Sequence, residues 1–189
     1  MIRIGILGDI GSGKSYVANE FGYPVFNADH EVSKLYKKDK KLFYQLQKKL
    51  PKYIHSFPVN KDEISLAILS NRNNLKKIIN IVHREIRKKM KQFLKKNKNK
   101  KIVVLDIPLL LENKINKKKD VLVYVQSKNS EILKRLNKRK HFNKKLFKIF
   151  KNIQLPLDYK RKKSHFIIKN NFTKKIIIKK IDYILDTIS

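Results

Sequence analysis

Cysteine is missing from this chain of 189 residues, and acidic residues are scarce, with 15 Asp and Glu against 47 Lys and Arg. Without cysteine there is no disulfide framework and no thiolate metal site. The most apolar stretch, Ile102–Leu111, is short and interrupted by Asp106 and Pro108, so it does not predict a membrane span. The N-terminus leads directly into a strand-like run, and a signal peptide is not expected. We therefore expect one cytoplasmic domain, large enough to bury a core.

Glycine is almost absent as well, because all five glycines fall within the first 22 residues. Three of them belong to the segment Gly8–Ser15, GDIGSGKS, which fits the pattern G-x-x-x-x-G-K-[ST]. An apolar run at Ile2–Leu7 precedes this segment, and a helical pattern follows it. Strand, glycine loop and helix in this order predict a phosphate-binding loop rather than a turn without a ligand. Its amide N–H groups and the helix N-terminus would bind phosphate oxygens.

The loop assigns a role to each of its residues. Lys14 is expected to reach the β- and γ-phosphates of a nucleotide, and the Ser15 hydroxyl is expected to hold Mg²⁺. The remaining residues of the predicted cradle are Gly8, Gly11, Ser12 and Gly13.

The net charge of +32 comes almost entirely from lysine, with 40 Lys against 7 Arg, alongside 25 Ile and 17 Asn. Lys, Asn and Ile have the most A- and T-rich codons, which indicates a base bias of the genome. Apart from Lys14, the lysines are spread from Lys34 to Lys180 rather than gathered in one arm. We interpret the charge as a solvated surface that attracts polyanionic substrates, and we expect no specific nucleic acid and no membrane as partner.

Apolar runs alternate with helical patterns along the chain and predict an α/β fold, a five-stranded doubly wound parallel sheet of the P-loop kinase type. The predicted strands are Ile2–Leu7, Pro24–Asn27, Ile102–Asp106, Val121–Val125 and Phe166–Ile168. The predicted helices are Lys14–Phe21, several between His30 and Lys98, Ser130–Lys140, Lys144–Lys151 and Thr173–Thr187.

The long gap between the second and third strands contains no convincing strand. Its apolar residues recur at helical spacing and predict a helical insertion at about 30–100. The core is then formed by residues 1–29 and 101–189. Small P-loop kinases use such an insertion for the second substrate. A helical lid is expected at about 135–162.

Two carboxylates lie at or just beyond the carboxyl ends of predicted strands. Asp29 follows the second strand, at the edge where doubly wound sheets bind ligands, and would accept a hydrogen bond or proton from an acceptor hydroxyl. The alternative is an N-cap for a helix starting near His30. Asp106 closes the third strand and would order Mg²⁺ directly or through water, because a carboxylate ending an apolar strand needs a cation or donors. The alternative is a capping role before Pro108.

Two pairs of basic residues complete the set. His83 and Arg87 share one face of a helix in the insertion and could hold an anionic substrate, although most such surface pairs have no function. Arg135 and Arg139 follow the fourth strand, where a lid places a guanidinium over the transferring phosphoryl group. The alternative is the polar face of an ordinary helix.

The order of these motifs resembles the dephospho-coenzyme A kinase family from Met1 to about Asn170. The segments that carry the resemblance are Gly8–Ser15, Asn27–Asp29, His83, Pro108–Asn113, Arg139, Gln154–Pro156 with Lys160, and Ile167–Asn170. The resemblance implies ATP-dependent phosphorylation of the ribose 3′-hydroxyl of dephospho-coenzyme A, the last step of coenzyme A biosynthesis. It implies ATP at Gly11–Tyr16 and Mg²⁺ as cofactor. Catalysis would use Asp29, Lys14 and Arg139, and the coenzyme would contact His83, Arg87, Leu109 and Asn113.

The chain departs from the family pattern at several positions, and His165 and Lys169 stand where the family has acidic residues near the last strand. The family usually has Gly where Asp9 stands, Thr at Tyr16, Asp at Asn27 and Pro at Arg84. None of these changes removes a residue with a predicted catalytic role, so we expect an active enzyme that is a monomer or weak homo-oligomer.

Two alternatives stay open from the sequence. One is another P-loop small-molecule kinase, acting on a nucleoside or a shikimate-like acid. The other is a basic ATP-binding module that acts on nucleic acid.

Overall fold

A computed structural model describes residues 1–139 and 142–188. Within them, five parallel strands form one sheet in the order β2-β3-β1-β4-β5. The strands are β1 (Ile2–Gly8), β2 (Val25–Asn27), β3 (Ile102–Asp106), β4 (Val121–Gln126) and β5 (Phe166–Lys169). The chain builds β2 and β3 on one side of β1 and then β4 and β5 on the other, so the predicted doubly wound fold is confirmed.

Helices connect the strands. They are α1 (Lys14–Glu20), α2 (Ala28–Lys38), α3 (Lys40–Lys49), α4 (Lys61–Ser70), α5 (Arg72–Lys96), α6 (Asn129–Asn137), α7 (Lys144–Asn152), α8 (Leu157–Lys163) and α9 (Lys174–Ile188). Helix α8 was not predicted from the sequence. Its seven residues, LDYKRKK, carry too few apolar side chains to show a helical period. Lys140, the last residue of the helix predicted at Ser130–Lys140, lies outside the described residues.

The core lies between the sheet and the two helices α1 and α9. All five residues of β3 are buried, as expected for a central parallel strand that is covered on both faces. Val17 of α1 and Ile177, Ile181 and Ile184 of α9 are buried in the same cluster as Ile4 of β1. The spacing of the three α9 isoleucines places them on one face of that helix, which explains why the helix docks there.

The amino-terminal edge of the sheet is held by a buried ion pair. Arg3 Nη2 lies 2.9 Å from Asp120 Oδ2 and also donates to Ile115 O, at 3.3 Å. Asp120 directly precedes β4 and also accepts the Lys117 N–H, at 2.8 Å. These contacts fasten the segment before β4 to β1, at the edge of the sheet opposite the glycine loop.

The chain divides into two compact units. The first contains residues 1–27 together with the described parts of 97–143 and 150–189, and it includes the whole sheet. The second contains residues 28–96 and 144–149. Helices α2 to α5 lie in the second unit, which begins two residues before the insertion predicted at about 30–100 and takes in part of α7 from the lid predicted at about 135–162.

Within the described part of the chain, none of the helices combines the length and the apolar character needed to cross a bilayer.

Candidate active site

The glycine loop connects β1 to α1 and adopts backbone angles that other residues rarely take. Gly8, Gly11 and Gly13 have φ values of 146°, 86° and 88°. A Cβ on Gly13 would lie 2.3 Å from Asn170 Nδ2, and one on Gly8 would lie 2.6 Å from the Val125 carbonyl oxygen. Both backbone angle and space therefore demand glycine, which accounts for the clustering of glycine in this part of the sequence.

Lys14 begins α1 and folds back over the loop. Its side chain is buried, and Nζ donates to the carbonyl oxygens of Asp9, at 2.7 Å, and Gly8, at 3.3 Å. Two carbonyls of the same loop thus fix the position of the ammonium group. An ammonium held in this way supplies a preorganised positive charge at the phosphate loop.

The carbonyl of Ser12 is held by two side chains from the ends of distant strands. Asn170, just after β5, donates from Nδ2 at 2.9 Å, and the Ser127 hydroxyl, just after β4, lies 2.9 Å away. The Asn170 amide is fixed in turn, since its Oδ1 accepts the Phe172 N–H at 2.8 Å. Because C=O and N–H of a trans peptide point in opposite directions, this contact also orients the N–H of Gly13.

The sequence analysis does not predict a role for Ser127, and it includes Asn170 only as part of a family motif. The available signal was that each polar residue follows a buried strand at its carboxyl end, where parallel sheets place ligand-binding groups.

Asp106 closes β3 and is 3% exposed, so its carboxylate needs partners. One is Asn27, which lies opposite it in the β2–β3 register and donates from Nδ2 to Asp106 Oδ2 at 2.7 Å. The aspartate usual in the family would place a second carboxylate beside Asp106. Asn27 instead supplies a donor.

The oxygen donors Asp106 and Ser15 are of the kind that Mg²⁺ prefers, and Mg²⁺ commonly takes one or two protein ligands and fills its shell with water and phosphate oxygens. No group of three or more His, Asp or Glu suited to a metal occurs within residues 1–139 and 142–188. The predicted ligands Ser15 and Asp106 have the oxygen chemistry that a phosphate-bound Mg²⁺ would need.

Asp29 is the second residue of α2 and is exposed. The helix begins at Ala28, so Asp29 lies inside its first turn, and the suggestion that it caps a helix starting near His30 is wrong. The helix starts earlier than this alternative assumed, because α2 follows β2 without a connecting loop.

The residues expected to contact a coenzyme lie on two elements. His83 is half-buried and Arg87 exposed, both on α5. Leu109 and Asn113 lie in the turn after β3, where Asn113 Nδ2 donates to the Leu109 carbonyl at 2.8 Å. The Asn113 amide thus shapes the turn that presents Leu109.

The arginines after β4 differ in surroundings. Arg135, in the last turn of α6, stacks its guanidinium 3.9 Å from the ring centroid of Phe172. Arg139 is exposed and follows the helix, where its N–H donates to the Leu136 carbonyl at 3.0 Å.

A buried ion pair and a hydrogen bond bring together three residues of the family motifs that are distant in the sequence. These residues are Glu112, Leu155 and Lys160. Lys160 Nζ of α8, 1% exposed, lies 2.7 Å from Glu112 Oε1 in the turn after β3. The same oxygen accepts the Leu155 N–H at 3.0 Å. Glu112 thereby holds both the middle of α8 and the segment that precedes this helix.

Two tyrosines border the loop. Tyr16, where the family has Thr, is half-buried and packs against the core cluster of Val17 and Ile4. In β4, burial raises the pKa of the Tyr124 hydroxyl, with further contributions from the Asp9 and Asp158 carboxylates. Tyr124 therefore stays protonated at neutral pH.

Comparisons with known proteins agree with one another. A family model described as dephospho-CoA kinase matches residues 2–175. The dephospho-CoA kinase of Wolbachia pipientis wMel is 34% identical over 191 residues, covering 98% of this chain and 97% of the relative. A crystal structure of a protein from Thermus thermophilus covers 100% of this chain and 98% of its own, with a TM-score of 0.81 at 24% identity. The dephospho-CoA kinase from Campylobacter jejuni gives a TM-score of 0.63 at 21% identity, covering 99% and 97%. These two structural matches concern the fold.

Proposed function

The chain belongs to the dephospho-CoA kinase family, and on that basis we propose that it transfers the γ-phosphoryl group of ATP to the ribose 3′-hydroxyl of dephospho-coenzyme A. The products are coenzyme A and ADP. This reaction is the last step of coenzyme A biosynthesis, and it makes the chain a phosphotransferase with an alcohol acceptor.

The structural observation that supports the phosphoryl-transfer part of the proposal is the phosphate loop, whereas the acceptor follows from the family. Its three positive-φ glycines, the anchored Lys14 and the doubly held Ser12 carbonyl form a rigid cradle for a polyphosphate. Phosphoryl transfer needs positioning and charge stabilisation more than covalent help, and a rigid cradle supplies both.

In the proposed site, ATP lies along Gly8 and the loop residues Gly11–Tyr16. Lys14 stabilises the charge that develops between the β- and γ-phosphates. Ser15 and Asp106 would hold Mg²⁺, which neutralises negative charge on the phosphates.

Asp29 is the proposed acceptor of the proton from the 3′-hydroxyl. A carboxylate that accepts a hydrogen bond from this hydroxyl aligns it for in-line attack and takes the proton as the new P–O bond forms. Arg139 is proposed to stabilise the transferring phosphoryl group from the lid. His83, Arg87, Leu109 and Asn113 are proposed to contact the coenzyme.

An acceptor screen tests this function. ADP release is measured with purified protein, ATP and Mg²⁺, and with dephospho-coenzyme A, nucleosides or shikimate as the acceptor. We expect acceptor-dependent ADP release with dephospho-coenzyme A. ADP release with a nucleoside or with shikimate, but not with dephospho-coenzyme A, would favour another small-molecule kinase. ADP release that is stimulated only by RNA or DNA would favour the nucleic-acid module.

The biological setting follows from the same proposal. We propose that the protein acts in the cytoplasm as a monomer or weak homo-oligomer, with ATP and dephospho-coenzyme A as its small-molecule partners. Its lysine-rich surface is proposed to raise the local concentration of these anions without binding a specific nucleic acid.

A further inference from the structure

A carboxylate is buried inside the loop that binds phosphate. The side chain of Asp9 is 6% exposed, and its Oδ1 accepts the N–H of the next residue, Ile10, at 2.7 Å. Its main-chain oxygen accepts Lys14 Nζ. A negative charge here repels the anion that the loop is built to hold, and the interaction is strong where water is excluded. The Asp9 carboxylate therefore weakens phosphate binding unless it also makes an interaction that favours it.

The second oxygen of Asp9 faces another ammonium group. Lys151 Nζ lies 3.5 Å from Asp9 Oδ2, and the Lys151 side chain is 47% exposed. Lys151 lies in the last turn of α7. Asp9 therefore contacts two ammonium groups, that of Lys14 through its main-chain oxygen and that of Lys151 through its carboxylate.

We propose that Asp9 is a positioning residue that holds the Lys151 ammonium at the phosphate loop, and that Lys151 contacts the terminal phosphates of bound ATP. The inference rests on the proposed function for the presence of ATP. The Lys151 side chain is 47% exposed, and the buried Asp9 carboxylate holds its ammonium beside the loop.

The proposal gives Asp9 two opposing effects on ATP affinity. Its charge repels the phosphates, but it also recruits Lys151, whose charge attracts them. In the wild-type protein the recruitment exceeds the repulsion. If Lys151 is neutralised, only the repulsion remains, and removing the Asp9 charge should then improve ATP binding.

The experiment is a double-mutant cycle on the full chain, with ATP affinity measured in the absence of any acceptor. The proteins are wild type, Asp9→Asn, Lys151→Met and the double variant. Asparagine keeps an oxygen for the Ile10 N–H, and thermal melts without nucleotide establish that each variant is folded. Lys148→Met is the matched control, because Lys148 is an exposed lysine of the same helix.

We expect Lys151→Met to weaken ATP binding by about tenfold, in the range for a hydrogen bond to a charged group, and to weaken ADP binding less. Lys151→Arg should retain most of the affinity, and Lys148→Met should change it little. Asp9→Asn should weaken ATP binding in the wild-type background and strengthen it in the Lys151→Met background.

An equal change on Asp9→Asn in both backgrounds would overturn the proposal, because Asp9 would then act independently of Lys151. So would a Lys151→Met protein that binds ATP as the Lys148→Met protein does. Since no acceptor is present, these outcomes are separate from a failure of the proposed function, which would show as wild-type protein that binds ATP but does not phosphorylate dephospho-coenzyme A.

Discussion

The phosphate loop and the helices of residues 28–96 differ in how their functional groups are fixed. In the loop, backbone angles, carbonyl contacts and the side chains that follow β4 and β5 fix the glycines, Lys14 and the Ser12 carbonyl. In the helices, apolar residues such as Val82 and Ile86 are buried and hold the elements together. Polar contacts such as that between Arg84 and Gln45 lie at the surface. Under the proposed function, phosphate binding would depend mainly on the main chain of the loop, whereas His83 and Arg87 would contact the acceptor through side chains on a helix face.

The largest effect is expected in the helical region, from Asp29→Asn. The change keeps size and one acceptor oxygen but removes basicity, so turnover should fall by about 10²–10⁴ while both substrates still bind. Steady-state kinetics and binding measurements check this. Glu31→Gln is the control, since Glu31 is the other carboxylate in the first turn of α2.

A folded Asp29→Asn protein that keeps most of its turnover would remove Asp29 from the catalytic role. Because Asp29 lies within the helix and is not its cap, little change in stability is expected from either variant.

Within the loop, Lys14→Ala should lower turnover by about 10²–10³, because one preorganised positive charge is lost from the transition state. The measurement is kcat under saturating ATP, with thermal melting to establish folding. Near wild-type turnover would show that the loop does not act through Lys14, and the contrast between the two regions would then fail.

Gly13→Ala tests whether the main chain of the loop is as constrained as the contacts indicate. The added Cβ would meet Asn170 Nδ2 at 2.3 Å, whereas a Cβ on Gly22, also at positive φ, would meet nothing within 4 Å. Gly22→Ala should cost about 1–2 kcal/mol of stability from backbone strain alone. Gly13→Ala should cost about 1–3 kcal/mol more from overpacking, and it should weaken ATP binding.

Chemical denaturation of the two alanine variants checks this prediction. Equal destabilisation of both would mean that Asn170 moves aside easily and does not hold the loop.

A further effect concerns the helical region and is confined to alkaline pH. Burial raises the pKa of Tyr36 to about 12 from 10.0. The folded state therefore retains the proton longer than the unfolded state, and the stabilisation from Tyr36 is complete below about pH 10 and lost as pH rises through 12. At most about 2–3 kcal/mol is at stake.

Unfolding free energies of wild type and Tyr36→Phe at pH 9 and pH 12 isolate this contribution. Wild type should lose more stability than the variant over this interval. An identical loss would show that Tyr36 ionises as easily in the folded protein as in the unfolded one.

The sequence predicted the features that depend on local chain chemistry. The glycine loop and the five strands were found because positive-φ positions require glycine and buried strands require apolar runs. Helix α8 was missed, since its seven residues have no apolar stripe. The alternative of Asp29 as a helix cap failed because α2 starts directly after β2.

Contacts between remote segments could not be predicted. Ser12 and Asn170 are 158 positions apart, and Leu155 and Glu112 are 43 apart. Neither spacing carries a signal in a single sequence, because only the sheet order brings these residues together. The family motifs marked several of these positions without showing that they touch.

The most direct test of the central claim is the site of phosphorylation on the product. Purified protein is incubated with ATP, Mg²⁺ and either dephospho-coenzyme A or its 3′-deoxy analogue, and ADP and the phosphorylated product are quantified by mass spectrometry and phosphorus NMR. We predict one ADP for each coenzyme A, with the new phosphate on the 3′-oxygen, and no product from the 3′-deoxy analogue. ADP formation without phosphate at the 3′-oxygen, or equal ADP formation with the 3′-deoxy analogue, would contradict the account.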